Sequence, residues 1–272
     1  MLKIRPPQYN IDFQAFTKRK TCILTILNFF RGAFRLLGMV AIIVGNIIPI
    51  IVGVVFLQKD LAWRLRQRQR IARHLVWLLN IKIYLSGAPS DGNFLFIGNH
   101  RSYIDPVAAA VSVAFMPVAK AEVGKWPLIG WAARITGIVY VKRENKQSRA
   151  DTRIAIKKAL LEGSPVLIYP EGTTSAAHIT LPFRVSAFQV AAELRIPVVP
   201  IAIEYADTAD AWTGNDTFIP HFMRTFGKAK MAVWIDFGAP ILDANWEQLL
   251  EKTQTSIDAK VADFQQFKAE NG

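Results

Sequence analysis

The chain has 272 residues, a hydrophobic fraction of 51%, a mean hydropathy of +0.22 and a formal net charge of +12. That length fits one large domain with an appendage, and the apolar content is high for a freely soluble protein. One cysteine, Cys22, excludes an internal disulfide, and the four histidines (His74, His100, His178, His221) have no paired ligand spacing, so no metal is expected.

The charge is unevenly placed. Residues 1–80 hold thirteen Lys and Arg against Asp12 and Asp60, whereas the remainder is nearly neutral, with 20 basic and 19 acidic residues. The same segment carries Leu36–Leu57, 22 residues without a charge. At about 1.5 Å per residue such a run can cross a hydrocarbon core of roughly 30 Å. Basic residues flank it on both sides: Lys18-Arg19-Lys20, Arg31 and Arg35 before, Arg64 to Arg73 after. Both flanks favour the same membrane face, which conflicts with a simple span. Gly45, Asn46 and Pro49 predict a helix break within the run. Residues 1–78 are therefore expected to form a basic, membrane-associating helical segment, a re-entrant or interfacial hairpin, with a single span as the alternative. No small-x-small cleavage site follows, which argues against a cleaved signal peptide. The neighbours of Arg64–Arg73 are Leu, Trp63, Val76 and Trp77, so a lipid surface and not a nucleic acid is the expected partner.

From about residue 79 to 272, short apolar runs alternate with amphipathic ones. Strands are predicted at 81–85, 94–98, 116–119, 137–141, 166–169, 197–205 and 231–237. Helices are predicted near 102–113, 127–135, 149–162, 183–194 and 245–269. Strands separated by helices imply crossover connections: an α/β domain with a mainly parallel central sheet flanked by helices. In such sheets chemistry collects in loops at the carboxyl ends of strands.

One such end carries Asn99-His100-Arg101-Ser102-Tyr103-Ile104-Asp105-Pro106. A carboxylate five positions after an imidazole can hold one ring nitrogen as a donor and leave the other to accept a proton. No Ser or Cys nucleophile is needed if the substrate brings its own hydroxyl, so the pair reads as an acyl-transfer site or as a capping His beside a helix-capping Asp. A second strand leads into Pro170-Glu171-Gly172-Thr173-Thr174-Ser175, which presents N–H groups and a carboxylate to a cleft or forms an ordinary turn with a solvated Glu. Gly137–Val141 ends in Lys142-Arg143, a phosphate-binding pair or a solvated edge. Ile196-Pro197-Val198-Val199-Pro200-Ile201 is a strand interrupted by prolines and is expected at a sheet margin.

In this order the four pieces, spanning about residues 80–240, resemble the catalytic and substrate blocks of the glycerolipid acyltransferase family. The resemblance implies that His100 is a general base oriented by Asp105, and that a fatty acyl group passes from acyl-CoA or acyl carrier protein to a lysolipid hydroxyl. It implies anion binding by Lys120 and Arg143 and an acceptor pocket shaped by Glu171, Gly172 and Thr173. Asn99, Arg101 and Thr174 complete the expected substrate-binding set. The expected reaction is acylation of 1-acyl-glycerol-3-phosphate to phosphatidic acid, without a cofactor, on the cytoplasmic face of a bacterial inner membrane. Two departures bear on the acceptor. Thr174 stands where many members acting on lysophosphatidic acid carry Arg, and Arg184 and Ser186 stand where Lys and Gly are usual. Residues 119–131 and Glu171-Gly172-Thr173-Thr174-Ser175 look closer to the lyso-ornithine lipid acyltransferase branch, which gives the alternative acceptor. A non-catalytic lipid binder would not need His100 and Asp105. A hydrolase using His100 to activate water would release fatty acid without an acceptor.

Overall fold

The computed structural model describes residues 13–87, 92–126, 129–141 and 146–271. Among them lie seven strands in one sheet: β1 (Ile81–Ser86), β2 (Leu95–Gly98), β3 (Met116–Lys120), β4 (Val139–Val141), β5 (Val166–Ile168), β6 (Val198–Tyr205) and β7 (Met231–Phe237). Their order is β1-β7-β6-β2-β5-β3-β4, with every neighbouring pair parallel except β6 and β7. After β2 the chain moves to one side for β3, β4 and β5, then crosses to β6 on the other. The carboxyl end of β2 is therefore a topological switch point, where open α/β sheets leave a crevice.

The central strands β2, β5 and β6 are covered on both faces, which is why they read as continuous apolar runs. Leu95 and Ile97 of β2 point toward α5 (Lys146–Leu161), α6 (Ser186–Leu194) and α8 (Trp246–Asn271), among Ile156, Leu160, Phe188 and Ile257. Phe96 points the other way, into a cluster with Ala72, Leu79, Ile104, Phe222 and Phe226. Those partners come from α2 (Leu61–Leu79), from Ile104 at the start of the short α3 (Asp105–Ala109) and from α7 (Phe218–Gly227). The remaining short helix, α4 (Ile129–Ile135), follows a 3-10 turn at Ala121–Lys125.

Two expectations need correction. Helix α1 (Phe13–Val55) runs unbroken through Gly45, Asn46 and Pro49. Pro49 removes one helical donor, but Ile43, Ile47 and Ile50 on the same face are buried, and Ile50 packs with Ile71 and Leu75 of α2. Packing outweighs the local break. The chain reverses later, at 56–60, where Asp60 caps α2 by accepting from Trp63 N at 2.8 Å. A helical hairpin does form, but its second arm is the arginine-rich α2 and not the second half of the apolar run.

The other correction concerns Pro200, whose strand is interior: β6 lies between β7 and β2. The β6–β7 ladder begins only at Ile201, so the missing N–H of Pro200 falls just beyond it, and the Pro200 carbonyl still accepts from Gly238 N at 2.9 Å.

Helix α1 is tied to the domain through the C-terminal end of α7. Arg35, only 7% exposed, donates to the carbonyls of Phe226 (2.8 Å), Lys228 (2.7 Å) and Ala229 (3.1 Å), and Arg31 donates to Gly227 O at 2.8 Å. Cations at the carbonyl end of a helix meet both its unpaired acceptors and its dipole. Arg35→Ala should therefore cost about 2–3 kcal/mol of stability. Chemical denaturation in detergent checks this, and an unchanged midpoint would mean that the guanidinium is not the tether.

Candidate active site

Strand β2 delivers Asn99 and His100 to the switch point. Asn99 is buried and spends both amide atoms on the facing strand: its Nδ2 donates to Ile203 O at 2.9 Å and its Oδ1 accepts from Ile203 N at 2.7 Å. This clasp fixes the end of β2 against β6. The chain then turns over five residues and enters α3 at Asp105-Pro106, with proline in the first turn where no donor is lost.

The Asp105 carboxylate is fully buried and gathers that turn around itself. Its Oδ2 accepts from Arg101 N (2.7 Å), Ser102 N (2.9 Å) and His100 Nδ1 (2.7 Å), and its Oδ1 accepts from the Tyr205 hydroxyl (2.5 Å). A carboxylate facing Nδ1 fixes the tautomer with the proton on that nitrogen and leaves Nε2 as the acceptor. The His100 side chain is 21% exposed and lines a cavity of about 610 Å³. Thus the spacing noted in the sequence is a direct hydrogen-bonded pair.

The loop after β5 closes over the same point. Glu171 accepts from His100 N at 2.7 Å and from Leu181 N at 3.1 Å, and Ser175 N donates to His100 O at 2.8 Å. Glu171 is only 7% exposed, so it is not a solvated turn residue. Burial raises its pKa above the ordinary carboxylate value, and the two backbone donors partly offset that. Arg101 is buried too. It pairs with Glu204 at 2.9 Å and donates to Ser175 O (2.9 Å) and Ala177 O (2.5 Å), strapping the loop to β6. Gly172 has φ +77°, a conformation that glycine adopts without strain.

Of the expected substrate-binding set, Lys120, Gly172, Thr173 and Thr174 line the cavity together with His100. Asn99, Arg101 and Glu171 do not line it; the amide of Asn99, the carboxylate of Glu171 and both terminal nitrogens of Arg101 are bonded within the protein. Arg143, with Lys142, lies outside the described residues.

Several wall residues were not anticipated. Tyr103, Trp126, Trp212 and Phe218 form an aromatic flank with ring centroids 4.9–5.8 Å apart, and Glu122 and Asp216 also line the cavity. Tyr169 stacks on His100, and Tyr205 holds Asp105. Tyr169 adjoins Pro170-Glu171-Gly172-Thr173, which was a usable signal; Tyr205 carried none beyond its place at a strand end.

With this geometry in view, the chain can be compared with known proteins. A family model described as Acyltransferase matches residues 80–204, which includes His100, Asp105 and Glu171. The lyso-ornithine lipid O-acyltransferase of Pseudomonas aeruginosa is 30% identical over 184 residues, covering 64% of this chain and 70% of that protein. The chain belongs to the acyltransferase family. The 1-acyl-sn-glycerol-3-phosphate acyltransferase of Neisseria gonorrhoeae is 28% identical over 185 residues, covering 65% and 72%. The fold matches the crystal structure of the 1-acyl-sn-glycerophosphate (LPA) acyltransferase PlsC of Thermotoga maritima, with a TM-score of 0.60 and 19% identity over 85% of this chain and 98% of that one. The protein is an acyltransferase enzyme with the mainly parallel sheet and long N-terminal apolar helix described above.

Behind the aromatic wall of this acyltransferase, His221 is buried. Its Nε2 lies 3.2 Å from Ala211 O and must donate to it, so Nδ1 accepts from the Tyr103 hydroxyl at 3.1 Å. Burial lowers its pKa from the ordinary 6.5. The unfolded imidazole binds a proton that the folded one resists, so this group's contribution to stability is lost as pH falls through about 6.5. The drop in melting temperature from about pH 7 to about pH 5.5 should shrink in His221→Gln. An identical drop in both proteins would remove His221 as the source.

Proposed function

We propose that the protein transfers a fatty acyl group from the thioester of acyl-CoA or acyl carrier protein to the free hydroxyl of a lysolipid. The observation that carries this reading is the His100–Asp105 pair in the wall of a largely apolar cavity. His100 Nε2 takes the acceptor's proton as its oxygen bonds to the thioester carbonyl carbon. Collapse of the tetrahedral intermediate breaks the C–S bond, and the departing thiolate takes the proton from the imidazolium. Asp105 orients the ring and balances its charge. Thioester cleavage supplies the driving force, so the reading calls for no metal or organic cofactor. Asn99, Arg101 and Glu171 act as positioning residues, while Lys120, Gly172, Thr173 and Thr174 meet substrate.

For the acceptor, lyso-ornithine lipid is favoured. Thr174 offers a hydroxyl where a phosphate monoester is best met by a guanidinium fork. The wall of the same cavity holds Lys120, Glu122 and Asp216, the last paired to Arg224, a set suited to an amino-acid headgroup bearing both signs. The Pseudomonas relative carries that name. Lysophosphatidic acid is the second reading, supported by Lys120 and by the name of the Neisseria relative.

The membrane is read from α1 and α2. Ile23–Val55 is a stretch of 33 residues containing an 18-residue window of mean hydropathy 2.5, long and apolar enough to cross a bilayer. Phe30, Phe34, Leu37, Ile48 and Phe56 are exposed on α1 and its end, as is Trp77 on α2. Arg66, Arg70 and Arg73 are exposed on α2 and would meet anionic headgroups at about 1 kcal/mol each, which favours the cytoplasmic face. Residues 1–78 are then the membrane-associating segment and 79–272 the catalytic domain.

The test is transfer of labelled acyl groups from acyl-CoA or acyl carrier protein, with lyso-ornithine lipid and lysophosphatidic acid in parallel. His100→Ala should lower turnover about 10²–10⁴-fold. Thr174→Arg should raise the preference for lysophosphatidic acid about tenfold. Thioester breakdown without an acceptor would mark a hydrolase, and full activity of His100→Ala would sink the mechanism.

A further inference from the structure

The residue stacked beneath the catalytic histidine has no role in the chemistry described so far. Strands β2 and β5 run parallel with Ile97 opposite Ile168, so the next position of each brings Gly98 beside Tyr169. A Cβ at residue 98 would sit 2.9 Å from Tyr169 Cε1 and 3.2 Å from Cδ1. Glycine is thus what lets the phenol ring lie across the end of β2. It comes to rest under His100 with ring centroids 4.2 Å apart and planes 7° from parallel.

We propose that Tyr169 is a positioning residue for acyl transfer, whose π face fixes the plane of the His100 ring and stabilises the imidazolium formed when His100 takes the acceptor's proton. This rests on His100 being the base. The single Asp105 bond to Nδ1 restrains the ring but leaves a small coupled rotation about its Cα–Cβ and Cβ–Cγ bonds. A parallel aromatic face removes that rotation, so Nε2 keeps one direction into the cavity.

The interaction also changes as the reaction proceeds. A neutral imidazole gains little from a near-parallel stack, whereas a cation over the negative face of an aromatic ring is attracted by its quadrupole. Charge appears on His100 only after the proton moves. The stack is therefore stronger in the transition state than in the ground state and acts on kcat more than on KM.

The hydroxyl of Tyr169 has no part in this. It is buried without a hydrogen-bond partner among the described residues. Burial and the nearby Asp105 charge both push the phenol pKa upward, which keeps the hydroxyl neutral. The ring face is what His100 meets.

The experiment replaces position 169 in the full-length protein in detergent or lipid and measures kcat and KM for both substrates. Tyr169→Phe should keep kcat within about twofold, and Tyr169→Leu should lower it about tenfold with KM little changed. Phenylalanine analogues bearing one, two and five ring fluorines keep the shape while withdrawing the negative face, so log kcat should fall with each addition. Thermal unfolding of each variant confirms folding. Equal kcat across the fluorinated series would overturn the proposal, as would a Leu variant that raises KM and spares kcat. Should His100→Ala retain activity, it is the reading of His100 as base that fails, a different result from a flat fluorine series with His100 essential.

Discussion

The buried carboxylate of Asp105 organises the site. It receives four donors from two parts of the chain: the backbone of Arg101 and Ser102 and the ring of His100 from the turn that precedes it, and the hydroxyl of Tyr205 from the end of β6. A buried carboxylate is costly unless such partners surround it. Here the partners are the turn itself. Folding of the 99–104 segment, orientation of the imidazole and docking of β2 against β6 are thus one event. A single residue carries the local fold and the tautomer of His100.

Around it, reciprocal straps bring two strand ends to one place. Glu171 from the β5 loop takes the backbone N–H of His100, and the backbone of His100 takes the N–H of Ser175. Arg101 returns from the β2 side to the carbonyls of Ser175 and Ala177. Neither the Glu171 nor the Arg101 side chain needs to touch substrate to matter. They hold Gly172, Thr173 and Thr174 at the cavity wall, beside His100.

The central strands were legible because cover on both faces leaves continuous apolar runs, and each of the seven expected runs became a strand. Helix α7 was not, because Pro220 in Phe218-Ile219-Pro220 reads as a breaker, whereas in a first turn it costs nothing. The misplaced break in α1 and the misplaced margin at β6 share a cause: local proline rules gave way to packing in one case and to the end of a hydrogen-bond ladder in the other. The His100–Asp105 pair was legible because both residues lie in one short turn. Tyr205 was not, since it reaches the site across the sheet from another strand end, and Tyr169 was marked only by adjoining Pro170-Glu171-Gly172-Thr173. Asn99, Arg101 and Glu171 were expected at the substrate because sequence reveals a polar residue near a site, but not which of its polar atoms are bonded inside the protein.

The central claim is that Asp105 holds His100 with the proton on Nδ1 and Nε2 free for the acceptor. Nitrogen-15 NMR of ring-labelled histidine reports this directly, and the His100 signals among the four histidines can be assigned by difference with His100→Gln. The account predicts that neutral His100 has a protonated Nδ1 and an unprotonated Nε2, and that Asp105→Asn abolishes the preference. A proton resident on Nε2 in the unsubstituted protein would contradict it.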